Sequence, residues 1–247
     1  MKQYIKPFID SKDLSINSQK SYYYDLNQFI EVIHNRLTKE RLAIYEQSIK
    51  DLTISAKKRK QSAVNQFLLF LYEHNITETF FRLKSKEKLT KSPIKNELIN
   101  DQLFFKNVKE QKGQLIALFI LEVGLLPNEI QLLKWADIDL DYHIISLKNE
   151  NQMRIIDFSQ SLVSYMTDVL NRETVYLFEK NHHYFSRQWH YNRLKSFLNE
   201  IGLPYLNAQL LREQYILRQI DKGKTIEEVR ESLGLKSQVT LEKYFKH

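Results

Sequence analysis

Only 5 glycines and 4 prolines are spread over 247 residues. A β-sandwich needs a turn roughly every 8–12 residues, and such turns draw on glycine and proline. So few breakers leave long uninterrupted runs, and those runs read with a period near 3.6, which predicts a mainly α-helical chain. Apolar residues make up 43% of it, including 14 Phe and 14 Tyr, enough to fill a core in each of one or two domains.

The elements follow from local pattern. Tyr22, Leu26, Phe29, Ile30 and Ile33 recur at three- and four-residue spacing, predicting an amphipathic helix over 15–35 capped by Asn17 or Ser18. A second helix is expected over 38–50. A third, from Ser55 to Glu73, carries Val64, Phe67, Leu68 and Leu71 on one face. These make a helical domain over 1–83. Residues 84–97 are polar and basic, with Pro93 among them, and read as a linker. In the second domain, 98–247, helices are expected over 114–123, from Asn128 to about Trp135, and over 160–170, 187–200 and 207–221. Ile144–Leu147 and Met153–Phe158 read as two strands joined by the polar turn Lys148-Asn149-Glu150-Asn151. Thr225-Ile226-Glu227-Glu228 is a capping box that opens a helix ending at Gly234, and a last short helix carries Leu241 to Phe245.

Composition removes several chemistries. With no cysteine there is no disulfide, thiolate metal site or cysteine nucleophile. The most apolar segment, Leu115 to Leu126, contains Glu122 and is too short to span a bilayer, and the start lacks a signal peptide's apolar stretch, so a cytoplasmic protein is expected without membrane contact. His182-His183 has no carboxylate or cysteine company, a poor metal site. The net charge of +7 is lopsided: residues 1–90 hold 16 Lys+Arg against 10 Asp+Glu, while the rest is nearly balanced. Such asymmetry suits a polyanion partner, nucleic acid being the commonest, or an ordinary solvated basic surface. Lys57-Lys58-Arg59-Lys60 concentrates the charge in the first turns of a helix, where cations oppose the helix dipole and an anion relieves the cost.

From Gly124 to Asp139 the chain resembles the first signature box of the tyrosine recombinase (phage integrase) family, Gly-Leu-Arg-x-x-Glu-Ile/Leu-x-x-Leu-x-Trp-x-Asp-Ile-Asp. Gly124, Leu125, Glu129, Ile130, Leu133, Trp135, Asp137, Ile138 and Asp139 fit it, while Leu126 holds the arginine position. Lys148 sits where the family has a lysine at a hairpin turn. Gln209-Leu210-Leu211-Arg212-Glu213 resembles the family's His-x-Leu-Arg-His, and Leu233-Gly234-Leu235 with Tyr244 nine residues on resembles its Leu-Gly-His and tyrosine. Leu14-Ser15-Ile16-Asn17-Ser18, Tyr22, Asp25-Leu26 and Phe29 are similar to the amino-terminal DNA-clamping domain. The match covers nearly the whole chain and is of the XerD-like kind. It implies a helical SAM-like core-binding domain and an α/β catalytic-type domain with a small β-hairpin, clamped in a C shape around double-stranded DNA.

The resemblance also implies a chemistry. A tyrosine attacks a DNA phosphate without metal or other cofactor, paired arginines offset the charge on the non-bridging oxygens, a lysine protonates the leaving oxygen and a histidine handles protons. By carry-over Tyr244 is the nucleophile, Lys148 the general acid and Arg212 the remaining phosphate clamp, with Lys57, Lys58, Arg59 and Lys60 as DNA contacts. Each has a plainer alternative: Tyr244 as packing, Lys148 as a solvated lysine, Arg212 as a surface ion pair beside Glu213, the basic run as a solvated helix start. Leu126, Gln209 and Leu235 stand at family catalytic positions without the expected groups, which implies impaired strand cleavage. The chain is then expected to be a monomeric DNA-binding accessory protein, or a slow recombinase whose missing groups come from another subunit. Abandonment of DNA for a purely protein-binding role is the third expectation.

Overall fold

The computed structural model describes residues 1–84, 97–149 and 152–245, without the side chains of Asn149 and Gln152. Most of the linker expected over 84–97, Pro93 included, lies outside the described residues, as do Glu150, Asn151 and His247. The chain divides into two compact units, Met1–Pro93 and Ile94–His247. Among the described residues no helix is long and apolar enough to cross a membrane.

The first unit is built from α1 (Ile5–Asp10), α2 (Ile16–Val32), α3 (Lys39–Ser48) and α4 (Ile54–Glu73). The apolar stripe expected on α2 is the buried one: Leu26, Phe29, Ile30 and Ile33 lie in the core. It packs against Phe67 and Leu71 of α4 and Tyr45 of α3, whose ring meets Phe29 edge-on at 4.9 Å. Ser15, not Asn17 or Ser18, caps α2, its Oγ accepting the Ser18 N–H at 3.3 Å. The helix α1 escapes the periodicity reading because it spans six residues and holds Pro7. Proline is tolerated in a first turn, where its missing N–H has no helical partner to lose. It contributes Phe8, fully buried and edge-on to Phe67 at 5.4 Å.

The second unit is organised around α5 (Gln111–Val123), of which every residue from Gly113 to Leu121 is buried. Around it lie α6 (Pro127–Leu132), α7 (Gln160–Val169), α8 (Arg187–Glu200) and α9 (Ala208–Asp221). An antiparallel sheet of order β1 (Ile138–Asp139), β2 (Ile144–Asn149), β3 (Gln152–Asp157) adds Ile145 and Ile156 to this core. A second, two-stranded ladder joins β4 (Glu179–Lys180) and β5 (His183–Tyr184). The hairpin is longer than the sequence suggested: Lys148 pairs with Met153 and Asn149 with Gln152, so Lys148 belongs to β2 and not to the turn expected over Lys148–Asn151.

The carboxy-terminal helices α10 (Ile226–Ser232) and α11 (Glu242–Phe245) form a satellite core on α9, with Tyr215, Val229, Leu233, Leu241 and Tyr244 buried together. The capping box at Thr225 is present: its Oγ1 accepts the Glu228 N–H at 3.3 Å and Glu228 Oε2 accepts the Thr225 N–H at 2.7 Å. Side chains of α9 hold the start of the unit: Gln214 bonds both the Ile99 N–H and the Glu97 carbonyl, and Arg218 donates to Asp101 at 2.7 Å and to the Ile99 carbonyl.

Candidate active site

The site begins where α5 ends. Gly124 terminates the helix at φ +73°, and a Cβ there would fall 2.7 Å from the Tyr215 ring, so the first residue of the signature box is fixed by backbone conformation and by α9 packing. Two residues on, the backbone N–H of Leu126 donates to Glu129 Oε2 at 2.7 Å, closing the first turn of α6. The other oxygen, Oε1, accepts from Arg154 Nη2 at 3.0 Å. Arg154 lies on β3 with the inward parity of Ile156 and Phe158, and its side chain is 10% exposed. A buried guanidinium needs a paired anion, and Glu129 is that anion.

Arg212 projects from the first turns of α9, whose start Asn207 caps by accepting the Leu210 N–H at 3.0 Å. Its Nε donates to the Gly124 carbonyl and its Nη2 to the Leu233 carbonyl, each at 3.0 Å. Burial is the main influence lowering its pKa; Glu129 works the other way, and Arg154 lowers it further. The structure therefore replaces the surface ion pair with Glu213 by a half-buried clamp joining the first and last signature boxes. Gly234, at φ +63°, leaves room for Arg154: a Cβ there would lie 2.6 Å from Arg154 Nη1.

Tyr244 is 3% exposed, set in the satellite core with Lys243 Nζ 4.4 Å above its ring. Its pKa is raised, first by burial, then by the charge of Glu213. Gln209 makes only a long 3.4 Å contact with Glu213, and Leu235 packs against the satellite core while its carbonyl accepts from Arg230. Lys148 is exposed on β2 with the opposite parity to Arg154. Among the described residues no recorded contact joins it to Arg212 or Tyr244.

The basic run, in the first unit, divides. Lys60 is buried, donating to Asp25 Oδ1 at 2.9 Å and Gln28 Oε1 at 2.5 Å, and Arg59 pairs with the other oxygen of Asp25. Asp25 is itself 1% exposed. The anion that relieves these two cations is thus internal, and Lys60 is a core residue rather than a ligand-facing one. Lys57 and Lys58 are half-buried, and the Arg59 side chain stays half exposed.

Comparison places this geometry. No protein-family model matches the chain. Over 244 residues it is 46% identical to the tyrosine recombinase XerD-like protein of Streptococcus mutans serotype c, covering 99% of each chain, and over 248 residues 45% identical to that of Streptococcus uberis, covering both completely. The chain belongs to the XerD-like tyrosine recombinases. Solved structures share the recombinase fold at low identity. XerH bound to difH in a pre-cleavage complex has a TM-score of 0.70 at 17% identity, covering all of this chain and 80% of that one. The Tn1549 transposon integrase with transposon right-end DNA has 0.70 at 11%, covering all of this chain and 94% of that one. In this XerD-like chain, sequence reasoning had missed Arg154 and the role of Asp25. The missed signal for Arg154 was its place on the inward parity of a half-buried strand, where an arginine must be paired.

Proposed function

We propose that this XerD-like chain binds double-stranded DNA as an accessory or regulatory partner in recombination or chromosome handling, with strand cleavage impaired. The observation that carries this reading is the setting of Tyr244: it is 3% exposed in the satellite core, and burial and the charge of Glu213 both hold the proton on its hydroxyl. A nucleophile must lose that proton, yet Glu213, whose Oε1 lies 3.9 Å from Lys243 Nζ, opposes the phenolate. Gln209 cannot accept a proton at neutral pH, and a missing acid–base group costs roughly 100- to 10,000-fold in rate. Leu126 offers no donor to a phosphate oxygen, a deficit of about 100- to 1,000-fold where such a donor is lost.

Both solved neighbours named above are complexes with DNA, which supports duplex DNA as the partner here, with Lys57, Lys58 and the exposed part of Arg59 as backbone contacts. Binding of that kind weakens steeply as salt rises. The test is a nicked suicide duplex, on which a covalent intermediate accumulates, compared between the wild-type chain and Tyr244→Phe. No covalent protein–DNA species is expected from either, and one formed through Tyr244 overturns the impairment.

The second reading, a recombinase completed by another subunit, is favoured by the retention of Arg212 in its clamp. It requires Tyr244→Phe to abolish the cellular phenotype. Sedimentation of the isolated chain as a monomer is expected under the first reading.

A further inference from the structure

In the first unit a charged cluster joins α2 to α4. Asp25 lies on the buried stripe of α2, beside Leu26 and Phe29. One of its oxygens accepts from Lys60 Nζ at 2.9 Å, and the other accepts from Arg59 Nη1. Lys60 also donates to Gln28 Oε1 and lies 5.5 Å from the Tyr24 ring. Three side chains of α2 thus hold two consecutive cations of α4.

The acid carries one charge and its partners two, and burial decides which of the two cations a ligand can meet. Asp25 and Lys60 are buried, while the side chain of Arg59 is half exposed. The bond to Asp25 uses Nη1, and a guanidinium carries further donors on Nε and Nη2. A carboxylate behind an arginine fixes the plane and direction of its fork. A free arginine loses rotamer freedom when it binds; here that loss precedes the ligand. Because Asp25 is shared with Lys60, it anchors Arg59 without cancelling the positive charge of the cluster. Stability alone does not call for this acid, since apolar residues of similar volume pack such an interface as well as a buried ion pair does.

We infer that Asp25 is a positioning residue for DNA binding: from α2 it holds Arg59 of α4 as a preset fork for one backbone phosphate of the duplex. This rests on the DNA-binding reading and deepens it. The planar fork matches phosphate oxygens only when it points at them, which an ammonium on a flexible stem does not require. Asp25 itself is out of a ligand's reach and acts only through Arg59.

The test is a double-mutant cycle on the full chain, read by fluorescence anisotropy with a labelled duplex at several salt concentrations. Asp25→Ala combined with Lys60→Met removes the anchor without stranding a buried charge and without changing the net charge. Arg59→Gln should lower duplex affinity about tenfold and reduce the salt slope by about one. The anchorless double variant, shown folded by circular dichroism, should lose about three- to tenfold in affinity with the salt slope unchanged. In that background Arg59→Gln should cost less than in the wild type, because the two changes act through one side chain. A purely structural role for Asp25 would move the melting temperature and leave the affinity of the folded chain alone. Where the double variant does not fold, Arg59→Lys is read instead: it keeps the charge and the slope and should lose about threefold or more. Wild-type affinity in the folded double variant, additive costs in the cycle, or wild-type affinity in Arg59→Lys overturns the proposal while the DNA-binding reading stands. A wild type without salt-dependent duplex binding overturns that reading and the role of Asp25 with it.

Discussion

Replacing Asp25 by alanine should cripple the first unit while leaving the second untouched. Asp25 is 1% exposed and accepts from Arg59 and from Lys60, whose side chain is 8% exposed. Without the carboxylate Arg59, half exposed, can turn to water. Lys60 cannot, and keeps Gln28 and the Tyr24 ring 5.5 Å away, neither of them an anion. Removing one partner of a buried pair costs about 3–5 kcal/mol, because the survivor is left charged and uncompensated. Against a domain stability of about 5–15 kcal/mol this leaves the unit marginal. With a urea dependence of about 1–3 kcal/mol per molar, the midpoint should fall by about 2 M. The two tryptophans, Trp135 and Trp189, both lie in the second unit. Tryptophan emission should therefore keep its midpoint while far-ultraviolet circular dichroism gains an early transition. Adding Lys60→Met should restore most of the loss. A change below about 1 kcal/mol, as for an exposed pair, refutes the assignment of Lys60 to the core.

Three further outcomes follow from the second unit. Burial holds the His190 pKa below 6.5, with Nδ1 bonded to the Ser186 carbonyl and Nε2 buried without a partner among the described residues; its contribution is complete above the unfolded value near 6.5 and is lost as pH falls through the folded value, so the melting temperature should drop on acidification, and less so in His190→Phe. Gly234→Ala should cost about 1–3 kcal/mol, and denaturation of the double variant with Arg154→Gln should show that the two changes are not additive, since the new Cβ strikes Arg154. Tyr244→Ala should cost about 3–5 kcal/mol, Tyr244→Phe at most about 1.5 kcal/mol, by chemical denaturation; equal small losses would show that the ring is not part of the satellite core. Because the folded Tyr244 pKa is raised, its share of stability is present below pH 10.0 and declines above it.

What could be read from the sequence was what neighbours along the chain decide. The stripe on α2, the length of α8 and the capping box at Thr225 depend on residues within a few turns, and pattern suffices for them. The family motifs could be recognised for the same reason, since each is a short run along the chain. Arg154 was not, because its meaning depends on the pairing of β2 with β3 and on a turn 80 residues later at Gly234. Lys60 was indistinguishable from Lys57 and Lys58 within one run. Only the approach of Asp25, 35 residues away, separates a core cation from its neighbours. Tyr244 likewise reads as a nucleophile only through the family resemblance, while its burial is a property of its packing with α9 and α10.

Both oxygens of Glu129 are occupied, one by a main-chain amide and one by a strand arginine. An arginine placed at position 126 would therefore find no free oxygen on that carboxylate. It would gain an ion pair there only by displacing Arg154, so the two positions have to be changed together.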